Sequence, residues 1–305
     1  MNKIPERQNE PKQLDRLAAQ RQLYSTAKRV LAAQAILGGP IAIASVIAIT
    51  AMPDLKGYAA FWGFFVSLGD LLWLNPWQKR LRENAAKIQE AFDCEVLRLP
   101  WNNIKTGSWP ESELIKEYAD KFRKNALILP PLENWYAPVV GDLPDELARI
   151  ICQRSNCWWD SKQRRRYAMW IIGGVVIAGI VILGLGLVGG ITVEKFFLAV
   201  IAPLTPALIL GVRQWSEQLE AARRLDKLKE HAETLWNEAL KQPHDVDLLS
   251  KCRALQDEIF ENRRRSPLVF DWIFRRLRDE YEVQMNYGAE ELVNEVKRRL
   301  EIEKA

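Results

Sequence analysis

The chain has 305 residues, of which 48% are hydrophobic and 27% are charged, and its formal net charge is +4. Averaged over the whole length, this composition suits an ordinary soluble protein. With two histidines and no Gly-rich phosphate loop, His-Glu-x-x-His or Gly-x-Ser-x-Gly motif, candidates for catalysis are scarce. We therefore expect no enzyme and no cofactor. Cys152 and Cys157 have the wrong spacing for a zinc knuckle, so we expect no metal site either.

Four windows of the chain are almost free of charge, which the averages hide. Crossing the hydrocarbon core of a bilayer takes about 20 apolar residues in a helix. The windows are residues 30–53, 58–78 with Asp70 as its one ionisable residue, 167–193 and 196–212. The sequence therefore predicts an integral membrane protein, mainly α, whose four transmembrane helices form two hairpins. Their predicted bounds are about 30–52, 58–77, 167–191 and 196–214.

Basic residues flank these windows on one side. Lys28 and Arg29 precede the first window and Arg164 to Arg166 precede the third, whereas the two hairpin connections hold one lysine each. By the positive-inside rule, both termini and the central segment are cytoplasmic. The predicted domains are a cytoplasmic helix (1–29), hairpin 1 (30–78), a cytoplasmic central segment (79–166), hairpin 2 (167–212) and a cytoplasmic C-terminal stalk or bundle (213–305).

The cytoplasmic segments are predicted to be mostly helical with one small β element. The alternation from Cys94 to Leu99 indicates a short strand that ends at Pro100. Helices are expected over 112–124 and from Asp145 towards the third membrane helix. An apolar stripe continues the fourth membrane helix up to Pro243, and two further helices follow. These helices fold back on one another or on neighbouring subunits.

Asp70 is the one ionisable residue inside a predicted span. Intramembrane carboxylates are costly and mark a function or a partner. Two interpretations stay open for this residue, a hydrogen bond to a neighbouring helix or the lining of a pore or gate.

Glycines and prolines in the second hairpin indicate how its helices pack. Gly186 and Gly190 form a small-xxx-small pair, which serves either packing within the hairpin or a face exchanged between subunits. Pro203 and Pro206 remove backbone donors, so we expect a kink that acts as a hinge between membrane and stalk. The spans are otherwise poor in polar groups. If the chain opens the membrane, we expect rearrangement in a homo-oligomer rather than a preformed filter.

Arginine and tryptophan cluster at two places in the cytoplasmic segments. Arginine binds phosphate in bidentate fashion and aromatic rings stack on bases, so such clusters suit a nucleotide. The alternative is anchoring at the membrane interface with contacts to anionic lipids. The candidate nucleotide-binding residues are Arg154, Ser155, Asn156, Trp158, Trp159, Arg264 and Arg265.

Several strings of the sequence resemble one known family, the bacterial SMODS-associating four-transmembrane effectors. The resemblance covers essentially the whole chain and no clear departure from the family pattern is seen. The matching strings are Gln8-Asn9-Glu10, Leu17-Ala18-Ala19-Gln20-Arg21-Gln22-Leu23-Tyr24, Asp70-Leu71-Leu72-Trp73-Leu74-Asn75-Pro76-Trp77, Leu99-Pro100-Trp101-Asn102, Cys152-Gln153-Arg154-Ser155-Asn156-Cys157-Trp158-Trp159-Asp160 and Arg263-Arg264-Arg265-Ser266-Pro267.

The resemblance implies an effector of anti-phage signalling, encoded beside cyclic-oligonucleotide synthases. Such a protein would lie in the bacterial inner membrane, sense a cyclic oligonucleotide on its cytoplasmic side and breach the membrane, so that the infected cell stops growing or dies. The expected partners are this second messenger, membrane lipids and further copies of the chain, and no DNA or RNA polymer. The alternative is a membrane-anchored scaffold that recruits a cytoplasmic partner through its C-terminal helices.

Overall fold

The computed structural model describes residues 2–38, 56–124, 132–188, 192, 194, 202–241 and 247–302. Helices dominate these ranges, which contain no strand. The α-helices are α1 (Ile4–Arg7), α2 (Pro11–Gly38), α3 (Lys56–Gly69), α4 (Asn75–Val96), α5 (Asn103–Thr106), α6 (Ser112–Lys124), α7 (Asp145–Val188), α8 (Ala202–Lys241), α9 (Leu248–Arg265) and α10 (Asp271–Ile302). A π-helical turn (Asp70–Leu74) joins α3 to α4 without a break, and a 3-10 turn (Pro138–Asp142) precedes α7.

Four long helical elements share one design, with a packed polar part and an apolar end whose described side chains include large exposed ones. The apolar ends are residues 30–38 of α2, 56–74 of α3 and its π turn, 167–188 of α7 and 202–212 of α8. Large side chains in them face outward: Phe61 is 66%, Trp73 is 68% and Ile180 is 65% exposed. In the described ranges, no helix reaches the combination of length and apolarity that crossing a bilayer requires.

The polar parts pack around buried apolar side chains. One cluster joins α4, α7, α8 and α9 and includes Phe92, Ile151, Leu235 and Leu255, all 2% exposed or less. A second cluster packs α2 against α4 and α6. A third packs α10 against α7, with Ile273 fully buried at its centre. Burial of such side chains contributes about 1.5–3 kcal/mol each, so this helical body has its own core.

Helices α7 and α8 run antiparallel, and one glycine sets their closest approach. A Cβ atom built on Gly211 would lie 2.7 Å from Cγ2 of Val175. By contrast, a Cβ at Gly173, Gly174 or Gly179 would have no neighbour within 4 Å. Gly211 therefore lets the two backbones approach, as small residues do between packed helices.

The strand expected over Cys94 to Leu99 is wrong. Cys94 and Val96 belong to the last turn of α4, and Leu97 caps it by donating its N–H to the Asp93 carbonyl. The chain then turns at Arg98, whose φ is +52°, and the Leu99 N–H donates to the Cys94 carbonyl at 2.9 Å. The apolar residues are buried because this helix end is enclosed on several sides, not because they line one face of a sheet. The helix expected over 112–124 is present as α6.

Candidate functional site

A large cavity lies where α2, α7 and α10 converge, closed by residues 132–135 and by the linker between α9 and α10. Its cavity volume is about 250 Å³, within about 1610 Å³ of space between the lining atoms that includes open solvent. Six cationic side chains line it, namely Arg21, Lys28, Arg164, Arg263, Arg275 and Arg278. Four acidic side chains oppose them, namely Glu133, Asp160, Asp271 and Glu282. The excess of cations makes the cavity attractive to an anion.

Aromatic rings form a slot in this cavity, and an arginine occupies it. The Arg21 guanidinium carbon lies 5.4 Å from the ring centroid of Trp135 and 5.1 Å from that of Phe274. Both distances are within the range of a cation–π contact. Burial and the neighbouring Arg278 lower the pKa of Arg21 to about 10, so the guanidinium is still charged at neutral pH. A flat cationic group thus contacts two aromatic rings whose faces would also accept a nucleobase.

Lys28 and Asp271 form an ion pair that ties α2 to α10 in the same cavity. The Lys28 Nζ lies 2.5 Å from one Asp271 oxygen, and the Ser25 hydroxyl donates to the other at 2.7 Å. Burial lowers the pKa of Lys28 although Asp271 opposes the shift. For Asp271, burial raises the pKa but Lys28 and Ser25 outweigh it, so the net shift is downward. The lowered pKa keeps the Asp271 carboxylate ionised at neutral pH, where it faces the Lys28 amine.

Arg164 binds the linker between α9 and α10 by a hydrogen bond, three residues before the apolar end of α7 begins. Its Nη1 donates to the Pro267 carbonyl at 2.7 Å and to Gln218 Oε1 at 2.9 Å, and its Nε donates to Asp160 at 3.0 Å. Gln218 in turn donates to the Leu268 carbonyl at 2.9 Å. Arg164 thus connects α7 and α8 to a linker that borders the cavity.

Arg263 forms the inner wall of the cavity and joins it to a buried polar network. Its Nη1 lies 2.5 Å from Asp93, which has no solvent exposure. Asp93 also accepts from the Tyr136 hydroxyl at 2.6 Å, and Asn156 donates to that hydroxyl at 2.9 Å. Burial and the Asp93 charge raise the pKa of Tyr136, so its hydroxyl stays a donor. This network fixes the side of the cavity that faces the core.

One buried hydroxyl group in the cavity, that of Ser266, has no hydrogen-bond partner among the described residues, and a phenol lies nearby. Ser266 is 2% exposed and its Oγ is buried without a partner. Tyr24 lines the cavity, and burial raises its pKa to about 12, which keeps its phenol neutral. Buried polar groups are normally paired, so such groups indicate space for a polar ligand or water.

The structure brings only part of the predicted nucleotide-binding set to this cavity. Asn156 and Trp159 line it. Arg154 lies elsewhere, paired with Glu233 of α8 at 2.8 Å, and Trp158 packs against Tyr281. Ser155 is buried and is not part of the lining.

The three consecutive arginines 263–265 are likewise only partly in the cavity. Arg263 lines the cavity, whereas Arg264 and Arg265 both pair with Glu261 on the outer face of α9. The lipid-anchor alternative and the nucleotide alternative for these two outer residues stay predictions.

Several cavity residues were missed from the sequence, chiefly Arg21, Lys28, Phe274, Arg275 and Arg278. A signal was available, because Arg21 and Lys28 are seven residues apart, and Arg278 follows Phe274 by four residues and Arg275 by three. Each set therefore lies along one side of its helix. The two sets meet because α10 folds back onto α2, which the spacing alone does not reveal.

The residues expected to act in the membrane are not among those that line the cavity. Asp70 begins the π turn and accepts a hydrogen bond from Gln34 of α2 at 2.7 Å, and Gln34 accepts from Gln78 at 3.2 Å. This is the interhelical bond of the first interpretation, while a pore or gate role stays a prediction. π turns are frequent at functional sites.

The prolines predicted to form a hinge and the glycines predicted to pack helices lie at or next to the ends of the described ranges. Pro203 and Pro206 lie within the first two turns of the described part of α8. Residues 195–201 lie outside the described ranges, so the hinge stays a prediction. Gly186 lies in α7, and Gly190 falls outside the described residues.

Comparison with known proteins assigns the chain to a family. The family model of the SMODS-associating 4TM effector domain matches residues 2–292. A probable CBASS effector molecule of Bacillus cereus (strain VD146) is 26% identical over 297 residues, which cover 92% of this chain and 96% of that relative. No solved structure matches the chain. The chain belongs to the SMODS-associating four-transmembrane effector family, and by this membership it is an effector of CBASS anti-phage defence.

Proposed function

We propose that this effector binds a cyclic oligonucleotide in the interhelical cavity and responds by opening the inner membrane, so that the infected cell stops growing or dies. It acts by binding and rearrangement, without catalysing a reaction. The observation that carries this proposal is the position of the cavity. Lys28 lies two residues before the apolar end of α2, and Arg164 lies three residues before that of α7.

The chemistry of the cavity matches the parts of a cyclic oligonucleotide. Its phosphodiesters are anions, which the guanidinium and ammonium groups attract and bind through charge-assisted hydrogen bonds. Its bases are flat, and Trp135, Trp159 and Phe274 offer faces for stacking. The hydroxyl group of Ser266, which has no partner among the described residues, and the phenol of Tyr24 supply further polar contacts.

Continuous helices connect the cavity to the apolar ends. The α2 helix runs from Pro11 to Gly38 and α7 from Asp145 to Val188, so each carries cavity residues and an apolar end on one rigid element. A ligand that pulls α2, α7 and α10 together in the cavity therefore moves the apolar ends as well. Coupling through rigid elements with two arrangements is the usual physical basis of such switching.

The apolar ends support a location in the membrane. Large apolar side chains cover them on the outside, and exposed apolar surface of this extent is unfavourable in water. The uncharged windows of the sequence are about as long as a span requires. We propose two hairpins embedded in inner-membrane lipid, with the helical body and both termini in the cytoplasm. The scarcity of polar groups favours a pore formed by several copies of the chain.

The scaffold alternative is less well supported. It rests on the apolar stripe of the C-terminal helices as a surface for a partner. In the structure this stripe packs inside the chain, since Leu225, Leu235, Leu255 and Ile273 are at most 2% exposed. A buried stripe offers no docking surface unless the helical body opens.

Dye release from liposomes that contain the purified full chain tests the proposal. A panel of cyclic di- and trinucleotides is added from the side that exposes the helical body. We expect one of them to release the dye and linear dinucleotides of the same bases to fail. If every cyclic ligand leaves the dye inside although the protein is inserted and folded, membrane opening by these ligands is wrong.

A further inference from the structure

The carboxylate of Asp271 is held in the cavity as a bound anion would be. One of its oxygens accepts from the Lys28 ammonium at 2.5 Å and the other accepts from the Ser25 hydroxyl at 2.7 Å. The two non-bridging oxygens of a phosphodiester carry one negative charge and offer the same pair of acceptors. Lys28 has only 17% of its side chain exposed, so its charge requires a partner anion in this place.

We infer that Asp271 occupies the phosphate subsite of the cavity in the ligand-free state, and that a phosphodiester of the ligand displaces it from Lys28 and Ser25. The inference rests on the proposed function and deepens it, because it assigns one phosphate position and the contact that this phosphate breaks. The Lys28–Asp271 pair is then an autoinhibitory contact between α2 and α10.

The local geometry permits Asp271 to leave without unfolding the helical body. Asp271 is the first residue of α10 and follows the linker 266–270. The first turn of α10 is anchored by the fully buried Ile273, and Leu277 and Tyr281 continue the same apolar cluster. A change of the Asp271 side-chain rotamer alone would break the ion pair and keep these core contacts.

Other cavity groups favour an incoming anion once Asp271 has moved away. Arg275 lies one turn beyond Asp271, is exposed and lines the same cavity. Ser266 supplies a buried hydroxyl that lacks a partner among the described residues. Without the Asp271 carboxylate, six cations would face three acidic side chains instead of four.

The displacement has a direct consequence for the apolar end of α2. Lys28 is two residues from Val30, where the first uncharged window begins. While the pair is intact, α10 holds this point of α2. A phosphate that replaces Asp271 as the partner of Lys28 breaks this contact between α2 and α10. Helix α2 is then bound to the ligand through Lys28.

Competition between Asp271 and a phosphate can be measured with inorganic pyrophosphate, which has no base. Its dissociation constant is determined by isothermal titration calorimetry with the full chain in detergent at fixed ionic strength, because salt screens such contacts. We expect Asp271→Asn to bind pyrophosphate about tenfold more tightly than the wild type, since a charge-assisted competitor is removed. Asp279→Asn, an equal charge change at an exposed position of the same helix, is the matched control and should leave the constant unchanged.

A double-mutant cycle with Lys28→Gln isolates the pairwise contact. If both anions use Lys28, Asp271→Asn gains nothing in the Lys28→Gln background. Thermal unfolding of each variant verifies that the helical body is intact. The inference is overturned if Asp271→Asn binds pyrophosphate no better than the wild type, or if the gain persists without Lys28.

The same variant separates this inference from the proposed function. If the pyrophosphate cycle gives the expected coupling but no cyclic oligonucleotide binds, the phosphate subsite stands and the choice of messenger is wrong. If a cyclic oligonucleotide binds and Asp271→Asn does not tighten that binding, the messenger stands and the displacement is wrong.

Discussion

The Arg21 guanidinium carbon lies 5.4 Å from the centre of the Trp135 ring and 5.1 Å from that of the Phe274 ring. In the ligand-free chain, a cationic plane thus covers the two rings on which a base of the proposed ligand would stack. A base can enter either by displacing Arg21 or by stacking beside it. In both cases the aromatic faces contribute to affinity.

Replacing one face of this slot should weaken ligand binding. We expect Phe274→Leu to raise the dissociation constant of the activating cyclic oligonucleotide about tenfold, because stacking on one aromatic ring contributes about 1–3 kcal/mol. Isothermal titration calorimetry measures the effect. The control is Tyr287→Leu, an aromatic change on the same helix at a side chain outside the cavity that is 64% exposed. Equal affinities for both variants and the wild type would remove the slot from the binding site.

Arg263 and Arg265 are two residues apart, yet their substitutions should differ strongly in stability. Arg263→Met leaves Asp93 buried without its cation, and we expect the free energy of unfolding to fall by about 3–5 kcal/mol. Arg265→Met removes a surface pair at a side chain that is 70% exposed, so a change below about 0.5 kcal/mol is expected. Thermal unfolding in detergent compares the two variants. Similar midpoints would show that the Arg263–Asp93 pair does not support the fold.

Glu95 should contribute to stability at neutral pH and lose that contribution in acid. Partial burial raises its pKa, but hydrogen bonds from Arg16, Lys12 and Gln13 outweigh this and lower the pKa from 4.5 to about 2. A carboxylate with a lowered pKa in the folded state stabilises it above pH 4.5, and the effect fades as the pH falls from 4.5 towards 2.

Unfolding midpoints of Glu95→Gln and the wild type, measured across this range, check the linkage. The gap between the two proteins should be widest above pH 4.5 and should close towards pH 2. Glu291→Gln, at an exposed position of α10, is the control and should show no such trend. A gap that stays constant with pH would contradict the role of the Glu95 charge.

Gly211 and Gly174 should respond in opposite ways to alanine. At Gly211 the new methyl group would lie 2.7 Å from Val175, so α7 and α8 must separate, at a cost of about 1–3 kcal/mol. At Gly174 the methyl group meets open space within the chain, and the better helix propensity of alanine stabilises by up to about 1 kcal/mol. Thermal unfolding in detergent distinguishes them. If Gly174→Ala disrupts a homo-oligomer, the glycine face of α7 packs against another copy of the chain.

The helices and the four apolar ends could be predicted from the sequence because they follow from local periodicity and from runs without charge. The cavity could not, since its walls come from residues as far apart as Arg21 and Arg278. The clustering of arginines in the sequence also did not predict which of them line the cavity. Consecutive helical residues point about 100° apart, so Arg263 faces inward while Arg264 and Arg265 face Glu261 outside. The strand prediction was wrong because the end of α4 is buried on several sides. Its apolar residues therefore alternate with polar ones in the sequence, as they would in a strand.

Photoaffinity labelling tests most directly whether the cavity is the ligand site. A photoreactive form of the cyclic oligonucleotide that releases dye is irradiated with the full chain, and the modified peptides are mapped by mass spectrometry. We expect adducts on cavity residues of α2, α7 and α10, such as Tyr24, Trp159 and Phe274, which an excess of the unmodified ligand suppresses. Suppressible adducts confined to the outer surface around Arg154, Arg264 and Arg265 would contradict the cavity as the sensor.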